Sequence, residues 1–386
     1  PDHIVNNPDV QDNHYMRAVL QNELFPNRSL QLGEPQTLLT FDVGYFPEER
    51  GPYNFDTKRS TYSAGIDASS GLLLDPVSRW GGIMRQVRNV DFETQNIEFI
   101  EFWVMSPFLN EDGDGTAINA STEGGDVYFH LGNISEDILK DGRKGFENGL
   151  PANGSSIADT DTSTWGRVSN KLNLVTAFDN DPTTRENQDV GLDGLSNADE
   201  TSFFFAKYLD FFNGNVPAEI AADPSADNYS YFRGPDYDSD RADIVTRYKN
   251  FNGMDGNSPT QDQTGLDYVS TSSNLPDIED VNRDNTLSEG ESYYEYKISM
   301  RPEDIENGDI GTNYLNQVYN TSVTTQSGLV KDVTWLQFRV PVRDPDKVVG
   351  NLQDFQAIRF MRLAMKGWER PTVLRFATMD FVQSRW

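Results

Sequence analysis

Two short stretches near the end of the chain alternate between apolar and polar side chains. In an extended "SYYEYKISM" (Ser292–Met300), one face carries Tyr294, Tyr296, Ile298 and Met300. The opposite face carries Tyr293, Glu295, Lys297 and Ser299. The stretch "TWLQFRVPV" repeats the pattern, with Leu336, Phe338 and Val340 on one face. A period of two with one polar face predicts half-buried antiparallel strands.

Six further stretches have strand character, and all eight lie near the two ends of the chain. The six are Thr37–Gly44, Gly81–Val87, Ile97–Met105, Asp126–Ile134, Ala357–Lys366 and Thr372–Val382. The residues between the two groups are rich in Asn, Asp, Gly and Ser. We therefore predict a mainly β fold, an antiparallel β-sandwich of jelly-roll type that a long loop-rich insertion with short helices interrupts.

The predicted domain boundaries follow from this distribution. Residues 1–36 form a polar N-terminal stretch, residues 37–134 and 292–386 form the discontinuous sandwich, and residues 135–291 form the insertion. Two separate domains remain the alternative. No run at the start of the chain has the pattern of a signal peptide, and we expect the chain to be a piece of a longer protein.

Three helices are predicted within the insertion. One begins at Ser135, and a second begins at Ser196 with acidic residues in its first turn, as expected after an N-cap serine. The third runs through "SDRADIVTRYKNFNG" and ends at Gly253. The second helix ends in a strongly aromatic segment, which we expect to be buried against the β part.

The charge of the chain excludes several classes of partner. It carries 61 acidic and 32 basic residues, a formal net charge of −29. Such a surface repels phosphate backbones and anionic lipid, so neither nucleic acid nor direct lipid contact is expected. The chain has no cysteine and three histidines, which excludes thiolate sites and disfavours histidine-based catalysis or zinc binding.

One acidic loop, "DVNRDNTLSEGE", has the ligand spacing of a calcium-binding loop of the EF-hand type. Its candidate ligands, at positions one, three, five, seven, nine and twelve, are Asp280, Asn282, Asp284, Thr286, Ser288 and Glu291. Asn285 occupies position six, where the backbone needs left-handed angles that asparagine tolerates. No helical pattern precedes the loop, and a strand-like stretch follows it. We therefore predict a calcium loop that fastens the chain beside a sheet, and no helix–loop–helix pair. The alternative is an acidic turn held by Asx-type hydrogen bonds.

A second stretch, "DVGLDGLSNADE", fits the same spacing less well. Asp189, Asp193 and Glu200 fall at positions one, five and twelve, but Gly191 stands where a ligand belongs. A tight turn followed by a helix cap explains this stretch equally well. A third acidic run, "NEDGDG" at 110–115, is interpreted as a loop tip. If any of these sites holds an ion, we expect structural Ca²⁺.

A loop rich in tyrosine is a candidate contact surface. Its rings are Tyr229, Tyr231, Phe232 and Tyr237. Aromatic rings in a loop suit sugar stacking or protein contact, and the alternative is a loop whose rings fasten it to the body. No nucleophile elbow or phosphate-binding loop occurs, so the chain is not predicted to be an enzyme. A glycosidase would need two carboxylates about 5–10 Å apart in a groove.

Several stretches, in order along nearly the whole chain, resemble one family. They include "RGPYNF", "RWGGIMR", "GDVYFHLGNISEDILKDGRKGFENGLP", "QDVGLDGL", "YFRGPDYD", "DIEDVNRDNTLSE" and "LRFATMDFVQSRW". The chain resembles the SprA/Sov family, the very large outer-membrane translocon of the Bacteroidetes type IX secretion system, which is also linked to gliding motility. The resemblance carries over no active-site residue.

The resemblance implies a segment of a giant β-barrel pore that exports folded proteins. The implied location is the outer membrane or cell surface, and the implied partners are the rest of the barrel, other type IX subunits and cargo in transit. We expect a soluble, non-catalytic part outside the barrel wall, an extracellular cap in preference to a periplasmic part. The alternative function is a calcium-stabilised carbohydrate-binding or adhesin module on the cell surface.

Overall fold

Two five-stranded antiparallel sheets pack face to face. The computed structural model describes residues 2–61, 63–109, 123–147, 160–170, 177–251, 253–258, 275–305 and 308–384. In chain order the strands are β1 (Val19–Leu20), β2 (Thr37–Leu38), β3 (Phe41–Tyr45), β4 (Trp80–Gln86), β5 (Ile97–Met105), β6 (Gly125–Asn133), β7 (Thr160–Thr162), β8 (Arg167–Ser169), β9 (Ser292–Met300), β10 (Leu315–Thr324), β11 (Val330–Pro341), β12 (Lys347–Val349), β13 (Phe360–Lys366) and β14 (Thr372–Gln383).

The first sheet has the order β10-β11-β5-β14-β3, and the second has the order β12-β9-β6-β13-β4. Strands β1 and β2 pair with each other, as do β7 and β8. The pairing of β6 with β9 runs over nine residues, from Gly125 opposite Met300 to Asn133 opposite Ser292. The two ends of the 135–291 insertion are therefore neighbours in one sheet.

The core lies between the two sheets and is built from the inward face of each strand. Phe102 of β5 lies near its centre, with its ring 5.2 Å from that of Phe338 in the same sheet and 5.3 Å from that of Phe129 in the other. All three side chains are fully buried. The antiparallel, mainly β sandwich predicted from the period-two pattern is confirmed.

The eight predicted stretches all contain strands of the structure. Two match to the residue, Ile97–Met105 and Ser292–Met300. The strand expected over Thr37–Gly44 is instead two strands, since β2 pairs with β1 and only β3 joins the sandwich. Strand β10 was not predicted, because it is a largely exposed edge strand whose polar residues hide its alternation.

The helices are short, apart from one of 15 residues. Their bounds are Asp2–Val5, Pro8–Gln11, Gln21–Leu24, Pro182–Arg185, Asn197–Phe211, Ala218–Ala222, Pro235–Ser239, Ile244–Lys249 and Pro302–Ile305, with a 3₁₀ turn at Pro76–Ser78. In the described residues, no helix has the length and apolar character needed to cross a membrane.

The helix predicted from Ser135 is wrong. The backbone N–H groups of Ile138, Leu139 and Gly145 donate to the buried carboxylate of Glu279, at 2.7–3.0 Å. These donors therefore serve a distant side chain instead of a helical ladder. The helix predicted to end at Gly253 ends at Lys249, and its N-cap is Asp243.

The long helix and the β3–β4 connection share a second hydrophobic core. Phe204, Tyr208 and Phe212 pack with Phe55 and with other side chains of the connection. The ion pairs Lys207–Asp56 and Lys58–Asp210, at 2.9 and 2.6 Å, join the same two segments. The aromatic helix end is thus buried, as expected, but against residues 55–73 and not against the sheets.

The N-terminal residues cover the outer face of the first sheet. Tyr15, Val19 and Leu24 are buried there in a third cluster with Trp335. In this cluster Arg17 donates two hydrogen bonds of 2.8 Å to the Glu23 carboxylate, which also accepts one from the Trp335 indole at 3.0 Å. The polar N-terminal stretch is therefore packed onto the sandwich by an apolar cluster and by the hydrogen bond from Trp335 to Glu23.

Candidate metal centre

Three carboxylates from distant parts of the insertion meet in its interior. Oxygen atoms of Asp193, Glu200 and Asp227 all lie within 4.8 Å of one another. The residues are 8%, 0% and 2% exposed. Like charges that are buried this closely repel one another, so the arrangement requires a source of positive charge or bound protons.

A tight turn and a helix start position the first two carboxylates. Asp193 Oδ1 accepts a hydrogen bond from Leu195 N at 2.9 Å, across a turn in which Gly194 has a φ of 66°. Ser196 then caps the helix Asn197–Phe211, as predicted, by accepting a hydrogen bond from Asp199 N. Glu200 follows in the first helical turn, where the helix dipole favours a negative charge.

The third carboxylate comes from the loop after the helix Ala218–Ala222. The carbonyl oxygen of Asp227 accepts hydrogen bonds from Met254 N and Asp255 N, at 2.6 and 2.9 Å. Its N–H donates to Asp223 Oδ1 at 3.1 Å. The backbone of Asp227 is thus held on both sides, which fixes where its side chain enters the interior.

Ser225 links the cluster but leaves part of it unpaired. Its N–H donates to Glu200 Oε2 at 2.9 Å, and its hydroxyl donates to Asp193 Oδ2 at 2.7 Å. In the part of the chain that the structure describes, Glu200 Oε1 and Asp227 Oδ1 are buried and accept no hydrogen bond. Two buried carboxylate oxygens are therefore available to a ligand.

Burial and mutual repulsion keep protons on these groups in the ion-free protein. Burial, followed by the nearby Asp223, raises the pKa of Glu200 to about 7, although hydrogen bonds from Ser225 oppose the shift. Burial and the charge of Glu200 raise the pKa of Asp193 well above its ordinary value, and burial and Asp193 do the same for the pKa of Asp227. A divalent cation would displace these protons, and an all-oxygen donor set suits a hard cation.

The structure brings together two of the three residues in the weaker predicted loop. Asp193 and Glu200 belong to the cluster, whereas Asp189 lies outside it and its Oδ2 accepts a hydrogen bond from Ser258 N at 2.8 Å. Asp227 was missed because it is distant in sequence. The signal that points to it is Gly191, at the ligand position that the motif leaves without a side chain.

The acidic loop 280–291 has a different arrangement. Asp280 is 1% exposed, and its two oxygens accept hydrogen bonds from Asp284 N and Asn285 N at 3.0 and 2.7 Å. Lys144 Nζ lies 3.1 Å from Asp280 Oδ2. Asn285 has a φ of 67°, the left-handed conformation expected at position six.

Asn282, Asp284 and Thr286 form side-chain-to-backbone turns, whereas Ser288 and Glu291 contact residues outside the loop. Asn282 Oδ1 accepts from Asp284 N at 2.8 Å, and Asp284 Oδ1 accepts from Thr286 N at 2.9 Å. Ser288 N donates to Glu136, and Glu291 Oε1 lies 3.6 Å from an Arg362 nitrogen. The contacts of Asn282 and Asp284 follow the pattern of the Asx-turn alternative, and calcium at this loop stays a prediction.

Glu136 connects this loop to the start of the insertion. Its fully buried carboxylate accepts hydrogen bonds from Asn282 N and Ser288 N, each at 3.2 Å, and its own N–H donates to the Ser288 carbonyl at 2.7 Å. The loop therefore joins the two ends of the insertion just before the chain enters β9.

The rings of the predicted contact surface pack largely on one another and on neighbouring rings. The Phe232 ring lies 5.0 Å from that of Tyr231 and 5.5 Å from that of Phe251, and the Tyr229 ring lies 6.0 Å from Phe251. The Arg247 guanidinium lies 5.7 Å from the centre of the Tyr237 ring. This packing matches the alternative in which the rings hold the loop together.

A groove of about 750 Å³ opens between β3 and β4, the edge strands of the two sheets. Its lining is mainly apolar and includes Phe41, Ile83 and Phe381. Asp380 is the single acidic residue of that lining. The acidic run at 110–115 lies outside the described residues.

Comparison with known families gives one match. Residues 205–386 match the family model SprA_N, described as a motility related/secretion protein. This part of the chain is similar to the SprA family. The match covers β9 to β14 and Asp227, and the resemblance noted in the sequence is confirmed over these residues. No curated protein matches the chain.

Proposed function

We propose that this chain is a non-catalytic structural segment, the extracellular cap, of a giant outer-membrane β-barrel pore that exports proteins by the type IX pathway and supports gliding motility. The observation that carries the proposal is the match of residues 205–386 to a motility and secretion family. The segment contacts the rest of the barrel, other secretion subunits and cargo in transit.

The chemistry of the groove supports a structural role. Glycoside hydrolysis generally needs a pair of carboxylates across the substrate site. The groove between β3 and β4 has one acidic residue, Asp380, among its described lining residues, and the rest of its surface is mainly apolar. The buried carboxylates of the insertion are enclosed by protein, so a bulky substrate does not reach them.

The charge and the two-part architecture support a cap. A net charge of −29 disfavours contact with anionic lipid and keeps the surface from adhering to acidic cargo. The sandwich provides a rigid body, and the insertion with the β3–β4 connection forms a second core beside it. The carbohydrate-binding alternative has no structural observation in its favour among the described residues.

Single cysteines in the full-length translocon test the position of the segment. The 386 residues contain no cysteine, so Leu32→Cys, at a fully exposed site, introduces the one reactive thiol of this segment. We expect a membrane-impermeant maleimide to label this variant on intact cells. The buried Ala364→Cys variant is the matched control and should stay unlabelled. Labelling of Leu32→Cys that requires permeabilised cells would place the segment in the periplasm.

A loop exchange tests whether export depends on the insertion. Because Asn133 and Ser292 are paired neighbours, an Asn-Gly turn can replace residues 134–291 and leave a plain β6–β9 hairpin. We expect cells with this translocon to lose cargo export and gliding, or to leak small solutes, at a normal level of translocon in the membrane. Normal export, gliding and membrane tightness would refute the proposed role of the insertion.

A further inference from the structure

The carboxylate cluster in the insertion has more negative charge than its surroundings compensate. Arg50 is a basic residue whose charge acts on Glu200. The guanidinium of Arg50 donates to the carbonyl oxygens of Pro224 and Asp223, at 2.8 and 3.1 Å, and not to a cluster carboxylate. A buried acidic group without a partner is costly unless an ion or a proton neutralises it.

The glycine that weakens the sequence motif leaves room for the third carboxylate. Gly191 has a φ of 74°, and a Cβ built on it would lie less than 3.0 Å from Asp227 Oδ2. Asp227 therefore fills the space that a side chain at position three of the loop would occupy. The missing ligand of the linear motif is replaced by a carboxylate from 36 residues further along the chain.

We propose that Asp193, Glu200 and Asp227 bind a structural calcium ion inside the insertion. The donors are all carboxylate oxygens, which excludes a soft metal and favours Ca²⁺ or Mg²⁺. Calcium is favoured because Mg²⁺ usually keeps several waters, whereas these side chains are at most 8% exposed. Asp193 and Glu200 also retain positions five and twelve of a calcium loop.

The ion would add a link between three segments that Ser225 already joins by hydrogen bonds. Asp193 belongs to the turn before the long helix, Glu200 to its first turn, and Asp227 to the 223–228 loop. Calcium would convert their mutual repulsion into a crosslink between the helix and that loop. The inference does not rest on the proposed role in export.

Calcium binding by the 386-residue chain, first stripped with EGTA, tests the site. Isothermal titration calorimetry should show binding with a Kd on the order of 10⁻⁴ M or tighter. Asp227→Asn, which keeps the side-chain shape, should weaken that binding on the order of 100-fold. Asp240→Asn removes the same charge from an exposed site and should leave binding unchanged.

Thermal unfolding provides a second test, in which the difference in melting temperature between the wild type and Asp227→Asn should change sign when calcium is added. With EGTA, Asp227→Asn should melt at or above the temperature of the wild type, because asparagine is neutral in this buried site without a bound proton or a cation. With calcium the order should reverse, because the wild type gains more stability from the ion than the weakly binding variant does. This reversal distinguishes a lost ligand from a folding defect.

Two outcomes would overturn the proposal. One is a wild-type chain that neither binds calcium nor gains melting temperature at concentrations up to about 10 mM, well above the Kd of weak extracellular sites. The other is binding that survives Asp227→Asn but disappears in Asp284→Asn, which would assign the ion to the 280–291 loop. A failed test leaves the export proposal untouched, since the labelling and loop-exchange experiments do not depend on calcium.

Discussion

Replacing Gly191 by alanine should destabilise the insertion more than its backbone conformation alone explains. At a φ of 74°, an alanine costs about 1–2 kcal/mol relative to glycine. The new methyl group would also lie within 3.0 Å of Asp227 Oδ2 and force that carboxylate to move. Overpacking of this kind adds about 1–3 kcal/mol, so we expect a total loss of about 2–5 kcal/mol.

A second glycine supplies a control for the backbone cost. Gly256 has a φ of 72°, and a Cβ there would meet no described atom within 4 Å. Gly256→Ala should therefore cost only the conformational term of about 1–2 kcal/mol. Urea unfolding in the presence of EGTA measures both variants without any contribution from a bound ion.

A double-mutant cycle identifies the atom responsible. In Asp227→Ala the oxygen that clashes is absent, so adding Gly191→Ala should cost about as much as Gly256→Ala does. Equal losses for Gly191→Ala and Gly256→Ala in the wild-type background would refute the reasoning. They would show that the space beside Gly191 is not filled by Asp227.

Three other perturbations have defined outcomes. Glu23→Ala should cost about 3–5 kcal/mol in urea unfolding, because it leaves the Arg17 guanidinium buried without its carboxylate; a loss below about 1 kcal/mol would contradict this. Burial and two neighbouring cations lower the pKa of His130 to about 3, below the 6.5 of the unfolded chain. The stability that the neutral imidazole contributes is therefore complete above pH 6.5 and is lost as the pH falls towards 3. In His130→Asn, the free energy of unfolding should therefore fall less steeply with falling pH, by about 1.4 kcal/mol per pH unit in that range. An unchanged slope would refute this assignment to His130. Phe204→Ala should cost about 3–5 kcal/mol and expose the insertion to proteolysis, whereas Phe203→Ala at the neighbouring, 38% exposed site should change little.

Strand positions in the sandwich were predictable because they depend on local periodicity. In Ser292–Met300 the alternation of apolar and polar residues determines which side chains enter the core, and no distant residue alters that. The N-cap at Ser196 was predictable for the same reason, since a cap acts within one turn. Strand β10 escaped prediction because an exposed edge strand needs few apolar residues.

The helix expected at Ser135 shows how tertiary contacts override a local preference. That segment has a good cap residue and a helical pattern, yet its N–H groups bond to Glu279, more than 130 residues away. The ring-rich loop behaves similarly, because Phe251 and Arg247 come from the following helix region and pack against its rings. Such partners are not visible in a local window of sequence.

The sequence alone determined the strand segments, the acidic character and the similarity to the SprA family over residues 205–386. Only the tertiary structure decided which carboxylates meet, because it places Asp227 beside Gly191 and leaves Asp189 outside the cluster. The physical reason is one of range. Periodicity and capping act over a few residues, whereas charge repulsion and burial depend on distances in space between groups that the chain itself keeps far apart.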